Sequence, residues 1–362
     1  MKTVFVSGCY DVLHAGHLQF FDEARALGDH LTVCFASEEA LWIHKERRPT
    51  IPDTHKQALL ESLRMVDQVV AGHGCRLGFD FEDHFLQSKP NILAVTQDSE
   101  FKEEKRALCE SIGAEFVVLD KTPPRVRPIS TSEIVRMVRA PRVAPLRVDF
   151  AGGWLDVPRH AIPGEFVVNC AISPTVSLTE WPYEKRAGLG GSGAWALLNG
   201  FDGVAAECEL GVGWQDPAVI RETGCCVWES GPRPVLEFKR RGDFLKGCMA
   251  IAWTGGDHDT PGVANNPRDY AKIAASARLA REGVLRSDVP ALAQGVVAYH
   301  EAQIDEGMQP LPAAETALAW KYCGGGYGGY ALYLFPGAAQ RDTWVQQDTQ
   351  ARRAVEPYCE FS

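Results

Sequence analysis

Long apolar runs are missing from this 362-residue chain, and no stretch approaches the roughly 18 residues that a membrane span needs. Excess positive charge is missing as well. With 37 Lys and Arg against 47 Asp and Glu, the formal net charge is −10, which disfavours nonspecific binding to nucleic acid. Nucleotides stay open, because a local glycine-rich loop binds phosphate even in an acidic protein. The third absence is paired cysteine spacing. The 11 cysteines are odd in number and none stand as CxxC, so a secreted disulfide framework gives way to a reducing, cytoplasmic setting. The segment Met1–Val6 is too short for a signal sequence and runs straight into a motif, which fits the same setting. Internal repeats and low-complexity tracts are also lacking.

What is present is an ordinary globular composition, 45% hydrophobic and 23% charged, at a length comfortable for two cores. A β-rich run over 3–7 leads into a helical pattern from Gly16 to Leu27. Strands are expected at Leu31–Ala36, Ile92–Val95 and Glu115–Leu119, and helices at Pro52–Val66 and Phe101–Ile112. This alternation predicts an α/β unit with a parallel sheet, whose ligands bind beyond the carboxyl ends of its strands. Pro123, Pro124, Pro128, Pro141 and Pro145 then break regular structure around a short helix at Ser132–Val138. The expected boundary is near Pro141, giving units 1–140 and 141–362. The second is strand-rich and then mixed (α+β), with three glycine-rich loops. Adjacent Cys225 and Cys226 read as a buried strand pair.

His14 and His17 lie three residues apart where a helix begins, so they share one face. Helix starts favour anions, and two imidazoles there can donate to phosphate oxygens. In nucleotidyl transfer, negative charge grows on the α-phosphate and the departing pyrophosphate, and fixed donors aimed at it lower the barrier. The run Gly8-Cys9-Tyr10-Asp11-Val12-Leu13-His14-Ala15-Gly16-His17 resembles the signature of the HxGH nucleotidyltransferases, in particular their cytidylyltransferase-like branch. Ile129-Ser130-Thr131-Ser132-Glu133-Ile134 resembles the family's second signature, and Lys45 its mobile phosphate-binding lysine. The resemblance covers about residues 1–139 and implies a Rossmann-like fold. It makes His14, His17 and Lys45 catalytic, and Gly8, Cys9, Tyr10, Asp11, Gly16, Ser130, Thr131 and Ser132 nucleotide-binding. Where the family often carries an arginine after the Pro49 region, Lys56 stands here and leaves the phosphate geometry open.

Gly188-Leu189-Gly190-Gly191-Ser192-Gly193 precedes the apolar run Trp195–Leu198, a pattern that lets backbone N–H groups approach phosphate. With Ala144–Asp156, Gly213-Trp214-Gln215-Asp216 and Lys321–Tyr330, it is similar to the motifs of the GHMP kinases, closest to their heptose-phosphate and fucose kinase group. The resemblance runs from about residue 143 onward. It implies that Asp216 orients or deprotonates a sugar hydroxyl and Arg147 stabilises the transferred phosphoryl group. Asp156, Gly325 and Gly326 would bind the substrate, and Gly188, Gly190, Gly191, Ser192 and Gly193 the nucleotide. Ser192 and Glu207 would hold magnesium. The unit is short for that superfamily, and Trp154-Leu155 replaces a small or polar pair. His258 and Asp259 are two candidate metal ligands, too few for a site.

Together the two resemblances imply a bifunctional enzyme. One unit phosphorylates a sugar with ATP. The other joins a nucleotidyl group from CTP or ATP to the sugar phosphate, using Mg2+, to give a nucleotide-activated sugar. Small-molecule sugars and nucleotides are the expected partners, with no nucleic acid and no membrane, and a homodimer is compatible with the pattern. The alternative is a cytidylyltransferase for a polyol or amino-alcohol phosphate, joined to a kinase-like unit that only binds its ligand.

Overall fold

The computed structural model describes residues 1–120, 129–184, 186–257, 260–263 and 266–360. Pro123, Pro124, Pro128, His258 and Asp259 lie outside the described residues. Among those described, no helix is long and apolar enough to cross a membrane. The chain divides into two compact units, Met1–Val138 and Arg139–Ser362.

The amino-terminal unit contains β1 (Thr3–Gly8), α1 (Ala15–Arg25), β2 (His30–Ala36), α2 (Glu38–Lys45), α3 (Asp53–Glu61), β3 (Gln68–Gly72), α4 (Glu82–Ser88), β4 (Ile92–Thr96), α5 (Lys102–Ile112), β5 (Glu115–Leu119) and α6 (Thr131–Arg139). Its five strands pair in parallel in the order β3-β2-β1-β4-β5. This is the expected Rossmann-like sheet. Side chains alternate across it. Val4 and Val6 of β1 pack with Phe21, Leu31, Val33 and Leu60 on one face, whereas Phe5 packs with Phe81, Phe85 and Leu93 on the other. Strand order reverses between β1 and β4, and ligands of open parallel sheets bind at such a switch point.

Several boundaries differ from expectation. The helix expected over Pro52–Val66 stops at Glu61, because Asp67 turns the chain back into the sheet. Its carboxylate accepts from Leu31 N at 2.7 Å, and its own N–H donates to Leu31 O. The edge strand β3 and the short helices α2 and α4 were not anticipated. Five to eight residues give too few turns of a period to read.

The carboxy-terminal unit contains β6 (Ala144–Ala151), β7 (Phe166–Val176), α7 (Gly191–Leu198), α8 (Gly203–Glu209), α9 (Gln215–Glu222), β8 (Cys225–Glu229), β9 (Val235–Arg240), β10 (Met249–Trp253), α10 (Thr260–Val263), α11 (Tyr270–Arg286), α12 (Val289–Asp305), β11 (Ala319–Tyr322), β12 (Tyr330–Leu334), α13 (Ala338–Gln346) and β13 (Arg352–Pro357). Its antiparallel sheet runs β11-β12-β10-β13-β7-β8-β9, with β6 paired to β7. This is the expected α+β arrangement. Helices α11 and α12 pack on each other and against β6 and β7. Every residue of β6 is buried, Arg147 and Asp149 included. Cys225 and Cys226 are buried free thiols in β8.

Candidate active sites in two units

The first site forms at the carboxyl end of β1. His14 is the N-cap of α1, and no side chain caps that helix start. The His14 and His17 rings stack with centroids 3.8 Å apart, and both Nδ1 atoms are buried without a hydrogen-bond partner. Burial, with His14 as second cause, lowers the His17 pKa to about 4. Burial also lowers that of His14, against the opposing field of Glu133. Both imidazoles are therefore neutral at pH 7, each with one N–H to donate. Tyr10 packs edge-on beneath His17, its ring buried. Only a glycine at position 8 admits that ring, since a Cβ there would lie 2.7 Å from Tyr10 Cζ.

The second signature lies beside the first. Ser130 and Glu133 form a reciprocal cap at the start of α6. Glu133 N donates to Ser130 Oγ at 3.2 Å, and Ser130 N donates to Glu133 Oε2 at 2.7 Å. Thr131 Oγ1 donates to Val12 O at 3.3 Å, tying this helix start to the HxGH loop. Ser132 is exposed, and Gly16 is exposed in the first turn of α1. Lys45 is the last residue of α2 and is exposed.

The Asp11 carboxylate is committed to contacts within the unit. It is fully buried and accepts from Arg47 Nη1 at 2.7 Å, Thr50 N at 2.7 Å and Thr50 Oγ1 at 2.9 Å, so it pins the loop after α2. Arg47 Nη2 in turn reaches Cys9 Sγ at 3.7 Å. Lys56 is committed within the unit as well. Its buried Nζ donates to Ala36 O at 2.7 Å and pairs with Asp53 at 2.9 Å. At the same sheet edge, beyond β2 and β3, lies a cavity of about 530 Å³ that the sequence did not signal. It is lined by Ser37, Glu38, Glu39, Trp42, Arg48, Asp53 and His73.

The second site draws the four motif segments of the carboxy-terminal unit together. Arg147 on β6 grips Asp216 in a two-pronged pair, Nε to Oδ1 at 2.6 Å and Nη2 to Oδ2 at 2.9 Å. Its Nη1 reaches Gly188 O at 2.5 Å and Asp149 Oδ1 at 3.3 Å. Asp149 and Lys321 also belong here, although sequence reasoning assigned them no role. Lys321 Nζ donates to Asp149 Oδ2 at 2.5 Å, and Gly324 N donates to Asp149 Oδ1 at 2.8 Å. Burial by itself would push the Asp149 carboxyl up, but Lys321 and Arg147 outweigh it and hold the carboxyl below its usual range.

Arg147 and Asp216 border a cavity of about 70 Å³ whose lining also includes Trp154, Asp156, Ser192, Glu207, Gly213, Gln215 and Gly325. Gly326 is not in that lining and packs on Met308. Gly190 caps α7 with a left-handed backbone, and Gly191 and Gly193 lie in its first turn, so this helix start also lacks a side-chain cap. Ser192 Oγ donates to Glu207 Oε1 at 2.5 Å. Burial first, then Asp216, pushes the Glu207 carboxyl up to about 7. Asp156 is also buried and raised to about 7.

Residues 5–137 match the cytidylyltransferase-like family. An FAD synthase from Pyrococcus horikoshii is 33% identical over 117 residues, which make up 32% of this chain and 77% of that one. The bifunctional protein HldE of Alcanivorax borkumensis is 33% identical over 141 residues, 38% of this chain and 28% of that one. Coverage falls to 64%, just under two thirds, in the FAD synthase of Ferroglobus placidus. A crystal structure of L. major mevalonate kinase in complex with R-mevalonate aligns at 15% identity and a TM-score of 0.45, covering 60% of this chain and 96% of that one. Through its HxGH-bearing amino-terminal unit, the chain belongs to the cytidylyltransferase-like family.

Proposed function

We propose that the chain is a bifunctional transferase. Its carboxy-terminal unit phosphorylates a sugar with ATP. Its amino-terminal unit joins a nucleotidyl group from CTP or ATP to the resulting sugar phosphate and releases pyrophosphate. The observation that carries this reading is the stacked His14–His17 pair, neutral and with buried unpartnered Nδ1 atoms, at the uncapped start of α1. An oxygen of the acceptor phosphate attacks the α-phosphorus, and the bond to pyrophosphate breaks in line. Imidazole and helix-start N–H groups meet the charge that grows on both sides. Lys45, exposed at the end of α2, adds a cation to the departing group, and Ser130 and Thr131 border the same space.

In the carboxy-terminal unit, the glycine loop and the start of α7 receive the phosphates of ATP. Asp216, held by Arg147, orients the attacking hydroxyl, and Arg147 faces the transferred phosphoryl group. Magnesium fits Ser192 and Glu207. They are hard oxygen donors in contact, and Glu207 is a crowded carboxyl that a divalent cation would relieve. When bound, the ion neutralises charge on the transferring phosphates. One observation favours a second reading. Both Asp216 oxygens are already committed to Arg147, as suits a unit that binds a ligand without turnover while its partner unit serves a polyol or amino-alcohol phosphate.

Purified protein with ATP, CTP, magnesium and a sugar panel separates these readings. His17→Ala should lower pyrophosphate release by about 100-fold or more and leave ADP release unchanged. Asp216→Asn should do the reverse. If Asp216→Asn alters only ligand affinity, the second reading holds. If no combination yields a nucleotide-sugar, the first is overturned.

A further inference from the structure

Glu306 sits where a carboxylate is poorly accommodated. It is the C-cap of α12, at the negative end of the helix dipole, and its side chain is only 5% exposed. Burial pushes its carboxyl up to about 7, with Arg268 opposing the shift. Arg268 is placed as deeply. Its side chain is 0% exposed, and its Nε lies 3.2 Å from Glu306 Oε2. A buried ion pair adds little stability over apolar residues of the same volume, so its presence calls for another account.

The contacts of the pair supply one. The Arg268 guanidinium lies 3.6 Å from the ring centroid of Trp154. Trp154 follows β6, lines the 70 Å³ cavity and holds a left-handed backbone (φ 73°) that is strained for any residue but glycine. Strain of this kind persists only where the surroundings hold it in place. Arg268 Nη2 also donates to Val263 O at 2.7 Å and its Nη1 to Asn266 O at 3.0 Å, which fastens the chain between α10 and α11. On the other side of the pair, Glu306 O accepts from Tyr327 Oη at 2.7 Å. Tyr327 is left-handed as well (φ 61°) and belongs to the glycine-rich loop whose Gly324 and Gly325 line the cavity. Met308, two residues beyond Glu306, fills the space beside Gly326 of the same loop. Three segments far apart in sequence thus meet on one buried pair that does not itself line the cavity.

We propose that Arg268 and Glu306 are a positioning pair for phosphoryl transfer, which clamps Trp154 and the Gly324–Gly329 loop together as one wall of the second site. The role rests on the kinase reading of this unit, so the wall is first tested without ligand. Amide exchange of the full-length protein, read by mass spectrometry, follows residues 151–157 and 324–329. Arg268→Met should speed exchange in both stretches by about ten-fold or more and leave the middle of α12 unchanged. That variant strands Glu306 and lowers the denaturant midpoint, whereas Arg268→Met combined with Glu306→Leu should restore the midpoint without restoring protection of the two stretches. ADP release is then measured with ATP, magnesium and a panel of aldohexoses and aldoheptoses. In the double variant kcat/KM for the best sugar should fall by about ten-fold or more, while the KM for ATP changes by less than about two-fold. The proposal is overturned if the double variant recovers protection and kcat/KM along with its midpoint, or if Arg268→Met speeds exchange in neither stretch or in only one. Should these variants fail to fold, Arg268→Lys, which keeps the charge and loses the planar fork, decides by the same exchange readout. If wild type releases no ADP with any sugar, the kinase reading falls. Faster exchange in both stretches then still upholds the pair as the clamp of a binding site, and unchanged exchange overturns it.

Discussion

Asp149 holds the carboxy-terminal site together at the level of single side chains. It and Lys321 are fully buried, and Asp149 touches Arg147 and the Gly324 backbone as well. Against a well-packed apolar replacement, a buried ion pair adds little, but removing one partner strands the other. Asp149→Ala should therefore cost about 3–5 kcal/mol in denaturant unfolding, and Asp149→Leu combined with Lys321→Met should cost less than either change alone. Both residues stand inside recognisable motifs, yet neither drew a role beforehand. Spacing identifies a motif, whereas the partner of a buried charge 172 positions away is visible only once the chain is folded. Asp11 and Lys56 show the converse: their position in the motif region was legible, but the internal contacts that occupy them were not.

The turn into α9 decides the shape of the second site at the level of elements. A Cβ on Gly213 would lie 1.7 Å from Asp156 Oδ2. Gly213→Ala must then displace the Asp156 carboxylate and its bonds to Gln215. We expect it to lower stability by roughly 1–3 kcal/mol and to abolish sugar binding, read by thermal unfolding and calorimetry on the same sample. Elements with strong local signals were legible. β5 spans Glu115–Leu119 as expected, and α5 begins one residue later than expected, at Lys102. The α3 end was not, since Asp67 stops the helix through a bond to β2, a contact made across 36 residues.

At the scale of the whole molecule, the two sites carry opposite pH dependences. His17 is held neutral down to about pH 4, while an unfolded histidine takes its proton near pH 6.5. Its contribution to stability is present above pH 6.5 and is lost as pH falls toward 4. Asp156 and Glu207 titrate near pH 7 when folded and well below that when unfolded, so their contribution is present in acid and is lost as pH rises through 7. In a calorimetric series, His17→Asn should lessen the fall of melting temperature between pH 6.5 and 4. Glu207→Gln should lessen the fall between about pH 4.5 and 7, as magnesium should in the wild type. Unchanged slopes in either variant would contradict the corresponding assignment.

The sequence by itself determined the two units, their fold classes and the motif glycines, histidines and acids, because local pattern and fixed spacing carry that information. Only the tertiary structure decided which of those groups are bonded within the chain and which are not. It turned Asp11 and Lys56 inward, joined Arg147 to Asp216 and Asp149 to Lys321, and left the Gln215 carbonyl without a partner. The physical reason is that whether a polar group is free depends on the donors and acceptors that distant segments bring to it, and burial makes every such pairing costly to leave undone. At the amino-terminal site the same logic sharpened a spacing of three residues into a stacked, neutral imidazole pair at an open helix start.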